Sequence, residues 1–341
     1  MQEWQVSDLF SLYESHSPAK VRHIKTFYSK KYGIDLPRFT HKNTTIVYAS
    51  TKEDDTIRYS SLHDNKFLQY FKGHKGLVVS LEVSPIDDGF MSGSVDKTVR
   101  LWDLRSPTCR GLLGVPTTPI VAYDATGMVF AVGINQYSRI LLYDQANYDK
   151  APFLTIPLED PTLALISYPP RPIYMTSISF SLNGKYLLVG CSGNAHYVLD
   201  AFDGALIAKL EGHSGLERKS VNVQLGIEPQ KGISGEEVCW TPDSKYVVSG
   251  SLDGKIVIWD LQNLPQRAEA ERGKHPLRIQ PMTALDGHPG PARCVKFNPR
   301  FAMMCSGGHE LVRKGLCFLG RHFDMSFRRF GFLTNQVIAT M

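Results

Sequence analysis

Two stretches of the chain contain a histidine, a serine and an aspartate, the residue types of a serine hydrolase. The first set is His74, Ser92 and Asp96. In acyl-transfer catalysis a carboxylate orients an imidazole, and the imidazole takes the proton of the serine hydroxyl that attacks a carbonyl. Because the set recurs with a later repeat, it indicates a structural role in the fold rather than one catalytic centre. The recurring set is His213, Ser249 and Asp253.

The motifs that usually accompany catalysis are missing from the sequence. It contains no Gly-x-Ser-x-Gly elbow, no Gly-rich phosphate loop and no His-Glu-x-x-His. His309-Glu310 comes nearest to the last of these motifs, but Arg313 stands where its second histidine would be. We therefore predict that the chain is not an enzyme and that it binds no metal and no cofactor.

Each set is followed by a tryptophan and an aspartate, and this Trp-Asp pair indicates the kind of repeat in which the set lies. FMSGSVDKTVRLWD, from Phe90 to Asp103, matches VVSGSLDGKIVIWD, from Val247 to Asp260. Gly-His pairs, short alternating apolar runs and tight turns are typical of WD repeats, in which one repeat forms one four-stranded blade. We expect the aspartate to accept hydrogen bonds from the imidazole and from its own turn. The indoles of Trp102 and Trp259 would cover these networks from solvent.

The repeats predict an all-β, seven-bladed WD40 β-propeller with an incomplete first blade and an atypical last blade. Residues 1–308 are assigned to the propeller, and residues 309–341 to an atypical basic and aromatic C-terminal tail. The first of three expected insertions is rich in proline, which cannot donate to a strand ladder, so we predict an exposed loop there. The three insertions cover about residues 157–172, 217–235 and 262–280.

Charge and cysteine content argue against nucleic acid binding, metal sites and disulfides. The formal net charge is +5, but five cations and two anions lie from His309 onward, so the preceding residues are nearly neutral. The six cysteines include no Cys-x-x-Cys pair, and we expect reduced, mostly buried thiols. No apolar run reaches the roughly 20 residues of a membrane span, and the N-terminus lacks the pattern of a secretory signal. We expect an intracellular protein with no membrane contact and no requirement for direct nucleic acid binding.

Three less regular segments carry a more specific resemblance. They are FYSKKYGIDLPRFTH (Phe27 to His41), DDTIRYSSLHDNK (Asp54 to Lys66) and SVDKTVRLWDLRSPTCRGL (Ser94 to Leu112). With them the chain resembles the WD-repeat subunit family shared by the COMPASS histone methyltransferase complex and a transcription termination or phosphatase assembly. The resemblance implies a non-catalytic nuclear scaffold whose partners are a SET-domain histone H3 lysine methyltransferase and other subunits, on transcribed chromatin.

Two other functions remain open from the sequence. One is an adaptor in RNA 3′-end processing and transcription termination, and the other is a general cytoplasmic WD40 peptide-binding scaffold. Partners of propellers usually contact the loops between strands, because these loops are exposed and variable. The candidate partner-binding loops contain Lys30, Lys31, Tyr32, Asp54, Asp55, Lys97 and Gly254.

Overall fold

The computed structural model describes residues 9–17, 20–29, 31–165, 173–215, 236–264, 276–298, 303–308, 311–319 and 322–329. In these ranges the chain is almost entirely β-structure. The exceptions are one short helix, α1 (Pro161–Ala164), and two 3-10 turns at Asn135–Tyr137 and Gln145–Asn147. None of the described helices is long and apolar enough to cross a membrane.

The strands form sheets that follow the order of the sequence, and we number the resulting blades along the chain. The first blade has two antiparallel strands, and each of the next three has four. Their strands are β1 (Leu9–Ser17) and β2 (Lys20–Tyr28); β3 (Asp35–Phe39), β4 (Thr45–Ala49), β5 (Ile57–Ser61) and β6 (Lys66–Phe71); β7 (Val78–Val83), β8 (Gly89–Ser94), β9 (Thr98–Asp103) and β10 (Ser106–Gly114); and β11 (Pro119–Tyr123), β12 (Val129–Ile134), β13 (Arg139–Asp144) and β14 (Leu154–Pro157).

The remaining blades complete the series. The fifth has five strands, and the sixth and seventh have four each. Their strands are β15 (Met175–Phe180), β16 (Tyr186–Cys191), β17 (Ala195–Asp200), β18 (Leu206–Glu211) and β22 (Leu277–Ile279); β19 (Val238–Trp240), β20 (Tyr246–Gly250), β21 (Ile256–Asp260) and β23 (Thr283–Leu285); and β24 (Cys294–Asn298), β25 (Met303–Gly307), β26 (Leu311–Leu319) and β27 (His322–Arg329). The all-β propeller class predicted from the repeats is confirmed by this succession of sheets.

The chain forms two compact units, one of residues 1–121 and 296–341 and the other of residues 122–295. In the first unit, the second and third blades pack through a buried apolar cluster that includes Ile57, Phe71, Phe90 and Trp102. The ring of Phe71 meets Phe90 and Trp102 edge to face, with centroids 4.8 Å and 5.6 Å apart. Aromatic pairs in this geometry add to the free energy gained by burying the rings.

In the second unit, the fifth and sixth blades share another buried cluster. It contains Leu188, Val198 and Leu210 from the fifth blade, with Trp240 and Trp259 from the sixth. The apolar residues of these strands come from runs of Val, Leu and Ile, which favour pleated, buried strands. Both faces of such a strand are covered by neighbouring blades, so the apolar runs are nearly continuous rather than alternating.

Two of the candidate partner-binding residues lie in equivalent turns with a left-handed backbone. Lys97, between β8 and β9, has a φ of 63°, and Gly254, between β20 and β21, has a φ of 82°. A Cβ atom on Gly254 would lie 2.3 Å from the carbonyl oxygen of His288. Only glycine fits that turn without a backbone shift, whereas Lys97 adopts its conformation at some cost.

The expected C-terminal tail differs from the structure. The repeats predict that the blade pattern fails after Gly308, but β26 pairs with β25 and β27 pairs with β26, both antiparallel. The seventh blade is therefore four-stranded in its backbone. Sequence reasoning missed it because this segment lacks the tryptophan and turn aspartate of the third and sixth repeats, while strand pairing depends on backbone groups that every residue has.

The insertions at 157–172 and 262–280 are also not simple surface loops. Leu158, Asp160 and Thr162 are buried, whereas the residues between them and Leu165 are exposed, so the described part of the first insertion packs one side against the protein. In the other, Leu277–Ile279 forms β22, which pairs in parallel with β18. Residues 217–235, Lys30 and the middle of the third insertion lie outside the described residues.

Candidate functional site

The side chains of His74, Ser92, Asp96 and Trp102 meet within the third blade. Nδ1 of His74 lies 3.0 Å from Oδ2 of Asp96, and Nε2 lies 2.7 Å from Oγ of Ser92. Nε1 of Trp102 donates a hydrogen bond to the same serine oxygen at 2.9 Å. The spacing of the repeat thus identified four side chains that the fold brings into contact.

The protonation of His74 gives these hydrogen bonds a single direction. Burial lowers the pKa of His74 although Asp96 opposes this effect, so the ring is neutral at pH 7. A neutral imidazole has one N–H, and the carboxylate of Asp96 can only accept, so the proton is on Nδ1. Nε2 then accepts from the Ser92 hydroxyl, whose oxygen accepts from the Trp102 indole. Each donor in the series has an acceptor.

Asp96 anchors the turn at the end of this series. It accepts hydrogen bonds from the backbone amide of Lys75 at 2.9 Å and from the amide and hydroxyl of Thr98 at 3.0 Å and 2.6 Å. Burial alone would raise the pKa of Asp96, but the hydrogen bonds from Thr98, Lys75 and His74 outweigh it and hold the pKa at about 2. The carboxylate therefore stays ionised at neutral and mildly acidic pH.

The same geometry is unsuited to hydrolysis. The side chain of His74 is only 1% exposed, and Ser92 is wholly buried beneath the indole of Trp102. A serine nucleophile has to reach a substrate carbonyl and an oxyanion site, and this hydroxyl faces only protein groups. The arrangement can fix the turn between β8 and β9 and orient the two strands.

The prediction that the sixth blade contains an identical network is wrong. Oγ of Ser249 lies 2.9 Å from Nε2 of His196, which belongs to β17 of the fifth blade. Nδ1 of His196 accepts a hydrogen bond from the amide of Cys191 at 3.0 Å, so its proton is on Nε2. A residue from the neighbouring blade thus takes the place that sequence spacing assigned to the blade's own histidine.

The other members of the predicted sixth network have separate partners. Nε2 of His213 lies 3.2 Å from the carbonyl oxygen of Gly193, and Nε1 of Trp259 donates to the carbonyl oxygen of Glu211 at 2.8 Å. Asp253 accepts from the backbone amide of Lys255 at 3.2 Å within its own turn. The one sequence signal of this difference is a histidine in a strand whose other residues are mostly apolar, at position 196.

The imidazoles of His196 and His213 stack on each other in the second unit. Their centroids are 4.1 Å apart and their planes differ by 12°. Burial lowers the pKa of His213 to about 4, and burial together with the neighbouring ring lowers the pKa of His196 well below its usual value. Both rings are neutral at pH 7, because two charged imidazoles could not share this apolar site.

In the second blade, a different charged pair stands at the turn between β4 and β5. The guanidinium of Arg58 donates to both carboxylate oxygens of Asp54, at 2.8 Å and 2.9 Å, and also to the hydroxyl of Ser50. Its carbon lies 3.7 Å from the ring centroid of Tyr32. The hydrogen bonds from Arg58 lower the pKa of Asp54. Bidentate pairing and stacking together fix the orientation of both groups.

Three aromatic rings extend from this pair across the second blade. The Tyr32 ring meets Phe67 edge-on with centroids 6.5 Å apart, and Phe67 meets Tyr70 at 5.5 Å. Phe67 is 42% exposed and Tyr70 is 45% exposed. We call the three rings the aromatic shelf. Candidate residues Tyr32 and Asp54 belong to this region, whereas sequence reasoning missed Arg58, Phe67 and Tyr70.

A β-bulge places two of these rings on the same side of the sheet. Arg58 pairs with Tyr70 and Ser60 pairs with Phe67, so Leu68 is an extra residue in β6. Without it, two residues three apart would point to opposite faces. The bulge thus brings Phe67 beside Tyr70, a neighbourhood that strict alternation in the sequence does not predict.

The other candidate loop residues lie apart from the shelf or at its margin. The ammonium of Lys31 lies 5.2 Å from the Tyr32 ring, and Asp55 is half-buried and acts weakly on His74 in the third blade. Lys97 lies in the third blade and Gly254 in the sixth, at the turns described above. The structure therefore gathers only part of the predicted loop set around the shelf.

A buried ion pair that sequence reasoning missed lies in the first insertion. Nζ of Lys209 is 2.8 Å from Oδ2 of Asp160, and Tyr197 donates to the same oxygen at 3.0 Å. The ammonium also contacts Glu211 at 3.1 Å. Burial alone would raise the pKa of Asp160, but the hydrogen bonds from Lys209, Thr162 and Tyr197 lower it. These contacts hold the proline-rich segment against the fifth blade.

The amino-acid sequence is similar to a known repeat family and to proteins that contain it. Residues 65–103 and 234–260 match the model of the WD domain, G-beta repeat. The chain is 42% identical over 283 residues to WD repeat-containing protein 82 of Drosophila melanogaster, which covers 83% of this chain and 77% of that protein. The resemblance drawn from the sequence motifs is confirmed by these matches.

Two fungal relatives have names that refer to a complex. The Set1 complex component swd2 of Schizosaccharomyces pombe is 33% identical over 311 residues, covering 85% of this chain and 82% of that protein. The COMPASS component SWD2 of Saccharomyces cerevisiae is 32% identical over 297 residues, covering 87% of this chain and 81% of that protein. These matches extend across most of both proteins rather than over single repeats.

Proposed function

Because the chain belongs to the WD-repeat family of WD repeat-containing protein 82 and the Set1 complex component swd2, we propose that it is a scaffold subunit of a Set1/COMPASS-type complex. The observation that carries the proposal is the identity of 33% over 311 residues to a Set1 complex component, across 82% of that protein. General WD-repeat likeness would be limited to the repeat motifs. Here the likeness also covers the stretches between them.

The proposed subunit is non-catalytic and works in the nucleus. It binds a SET-domain histone H3 lysine methyltransferase and other subunits, and it helps to place the enzyme on transcribed chromatin. The burial of Ser92 and His74 supports a role without chemistry of its own, because their polar groups contact one another. The exposed aromatic shelf supports protein binding, since interfaces are enriched in tyrosine, phenylalanine and arginine.

Affinity purification from nuclear extract tests the proposal. The tagged full-length chain is expected to recover a SET-domain methyltransferase in stoichiometric amount, and the purified assembly is expected to methylate histone H3. An S92A variant that remains folded should recover the same enzyme. Purification of cleavage and termination factors alone would contradict the proposal and favour the adaptor of RNA 3′-end processing. A tagged protein that stays in the cytoplasm would favour a general peptide-binding scaffold.

A further inference from the structure

The outer strand of the second blade, β6, exposes three large apolar side chains close together. Phe67, Leu68 and Tyr70 are 42%, 48% and 45% exposed and lie within four consecutive residues of β6. Among the other outer strands whose side chains the structure describes, β10 exposes Leu112 and β22 exposes Leu277, each as a single large apolar residue. Contiguous apolar exposure of this kind marks interaction surfaces.

The aromatic shelf is also held rigid before any partner arrives. Arg58 stacks on Tyr32 and is fixed by two hydrogen bonds to Asp54, while Tyr32 and Tyr70 bracket Phe67. Rings that keep one orientation lose little conformational entropy on binding, which removes one of the costs of association. Arg58 is buried and paired with the partly exposed Asp54, so the pair positions the exposed rings.

The charges around β6 indicate the chemistry of the occupant. Lys66 and Lys72 are exposed at the two ends of the strand, about 20 Å apart along an extended chain. In the described part of the chain neither ammonium forms an ion pair, and Lys31 adds a third cation beside Tyr32. A partner with acidic residues on either side of an apolar centre would complement this surface.

Two features disfavour a second copy of this chain or simple strand addition. The lysines at both ends of β6 would repel the same lysines of another copy. The bulge at Leu68 interrupts the regular pairing that a further strand would need. The occupant of the shelf therefore binds mainly through its side chains.

We propose that the aromatic shelf binds a short extended segment of a protein partner, with apolar residues at its centre and Asp or Glu at its ends. The proposal rests on the proposed scaffold role but not on the identity of the complex. The apolar side chains pack on Phe67 and Tyr70, and the carboxylates face Lys66 and Lys72. Such contacts are weak singly and gain specificity from their spacing.

A phage-displayed library of random dodecapeptides, panned on the full-length chain, tests the proposal. Enriched peptides are expected to contain two or three apolar residues flanked by Asp or Glu. Binding of a synthetic enriched peptide should weaken about tenfold in F67S/Y70S and about fivefold in K66E/K72E, with the latter loss shrinking at high salt. Matched controls are F153S and K185E, exposed residues of the second unit that should leave affinity unchanged.

Several results would overturn the proposal. One such result is that panning on the wild type enriches no peptides beyond those enriched on an F67S/Y70S variant with the same melting temperature. Another is that the enriched peptides lack acidic residues. A third is that an enriched peptide binds K66E/K72E as tightly as it binds the wild type. Hydrogen exchange adds a second measurement, in which peptide binding should protect residues 66–72 and the loop at Tyr32. Copurification with a SET-domain enzyme is measured separately. The shelf proposal can therefore fail while the proposed function stands, and the reverse also holds.

Discussion

Replacing Ser92 and Ser249 by alanine should destabilise the protein to different extents, although the two serines are aligned in the repeat and both are wholly buried. In S92A, the indole N–H of Trp102 loses its acceptor, and Nε2 of His74 loses its donor. Each buried polar group left without a partner costs about 1–2 kcal/mol. The expected loss of unfolding free energy for S92A is therefore about 2–4 kcal/mol.

S249A should cost about half as much. The Ser249 hydroxyl accepts from Nε2 of His196 and donates to the carbonyl oxygen of Gly250, a residue of the β20–β21 ladder, whereas Trp259 donates to the carbonyl oxygen of Glu211 instead. S249A therefore leaves one N–H donor, that of His196, without an acceptor. One orphaned donor costs about 1–2 kcal/mol. The smaller loss follows from the difference between the two networks and not from any difference in burial or residue type.

Urea unfolding followed by circular dichroism gives the comparison, provided that the m-value is unchanged and midpoints can be compared directly. If the transition has more than one step, the midpoint of the step that reports the altered blade is used. Equal losses for the two variants, or a larger loss for S249A, would refute the reasoning. That outcome would mean that the two blades share one network, as sequence alignment alone predicts.

Three further predictions concern the buried charged and titratable groups. Because burial lowers the pKa of His213 to about 4 and lowers the pKa of His196 in the same direction, the unfolded chain binds more protons than the folded chain below pH 6.5. The free energy of unfolding should therefore fall between about pH 6.5 and 4, with a loss of about 2 kcal/mol from His213 at pH 5, as urea midpoints would show. K209M should lower the free energy of unfolding by about 3–5 kcal/mol, because it leaves the buried Asp160 carboxylate without its cation. The double variant K209M/D160N should recover most of this loss in the same assay, and a double variant as unstable as K209M would contradict the prediction. D54A should lower the free energy of unfolding by about 2 kcal/mol, less than for a fully buried pair because Asp54 is 37% exposed. NMR spectra should also show greater motion of the Tyr32 ring. Unchanged stability would contradict a stabilising role of the Arg58–Asp54 pair.

The sequence alone was enough to predict the fold class and one blade in detail. Gly-His pairs, turn aspartates and Trp-Asp endings recur because each blade solves the same local problem, the closure of a tight turn between two strands. The third blade contains every one of these residues, so the partners of His74, Ser92 and Asp96 followed from their spacing within a single repeat. The resemblance to a WD-repeat subunit family likewise followed from residues that lie near one another in the chain.

The tertiary structure decided the features that depend on neighbouring blades or on backbone pairing. His196 of the fifth blade contacts Ser249 of the adjacent sixth blade, and Lys209 of β18 contacts Asp160 in the segment before α1. No pattern within one repeat reveals either contact. The bulge at Leu68 changes which residues of β6 share a face, which strict alternation cannot anticipate. Sequence periodicity records which residues are apolar, whereas the partner of a polar group is set by the packing of separate segments. For that reason the sequence determined the blades and their family, and only the tertiary structure decided the second buried network and the aromatic shelf.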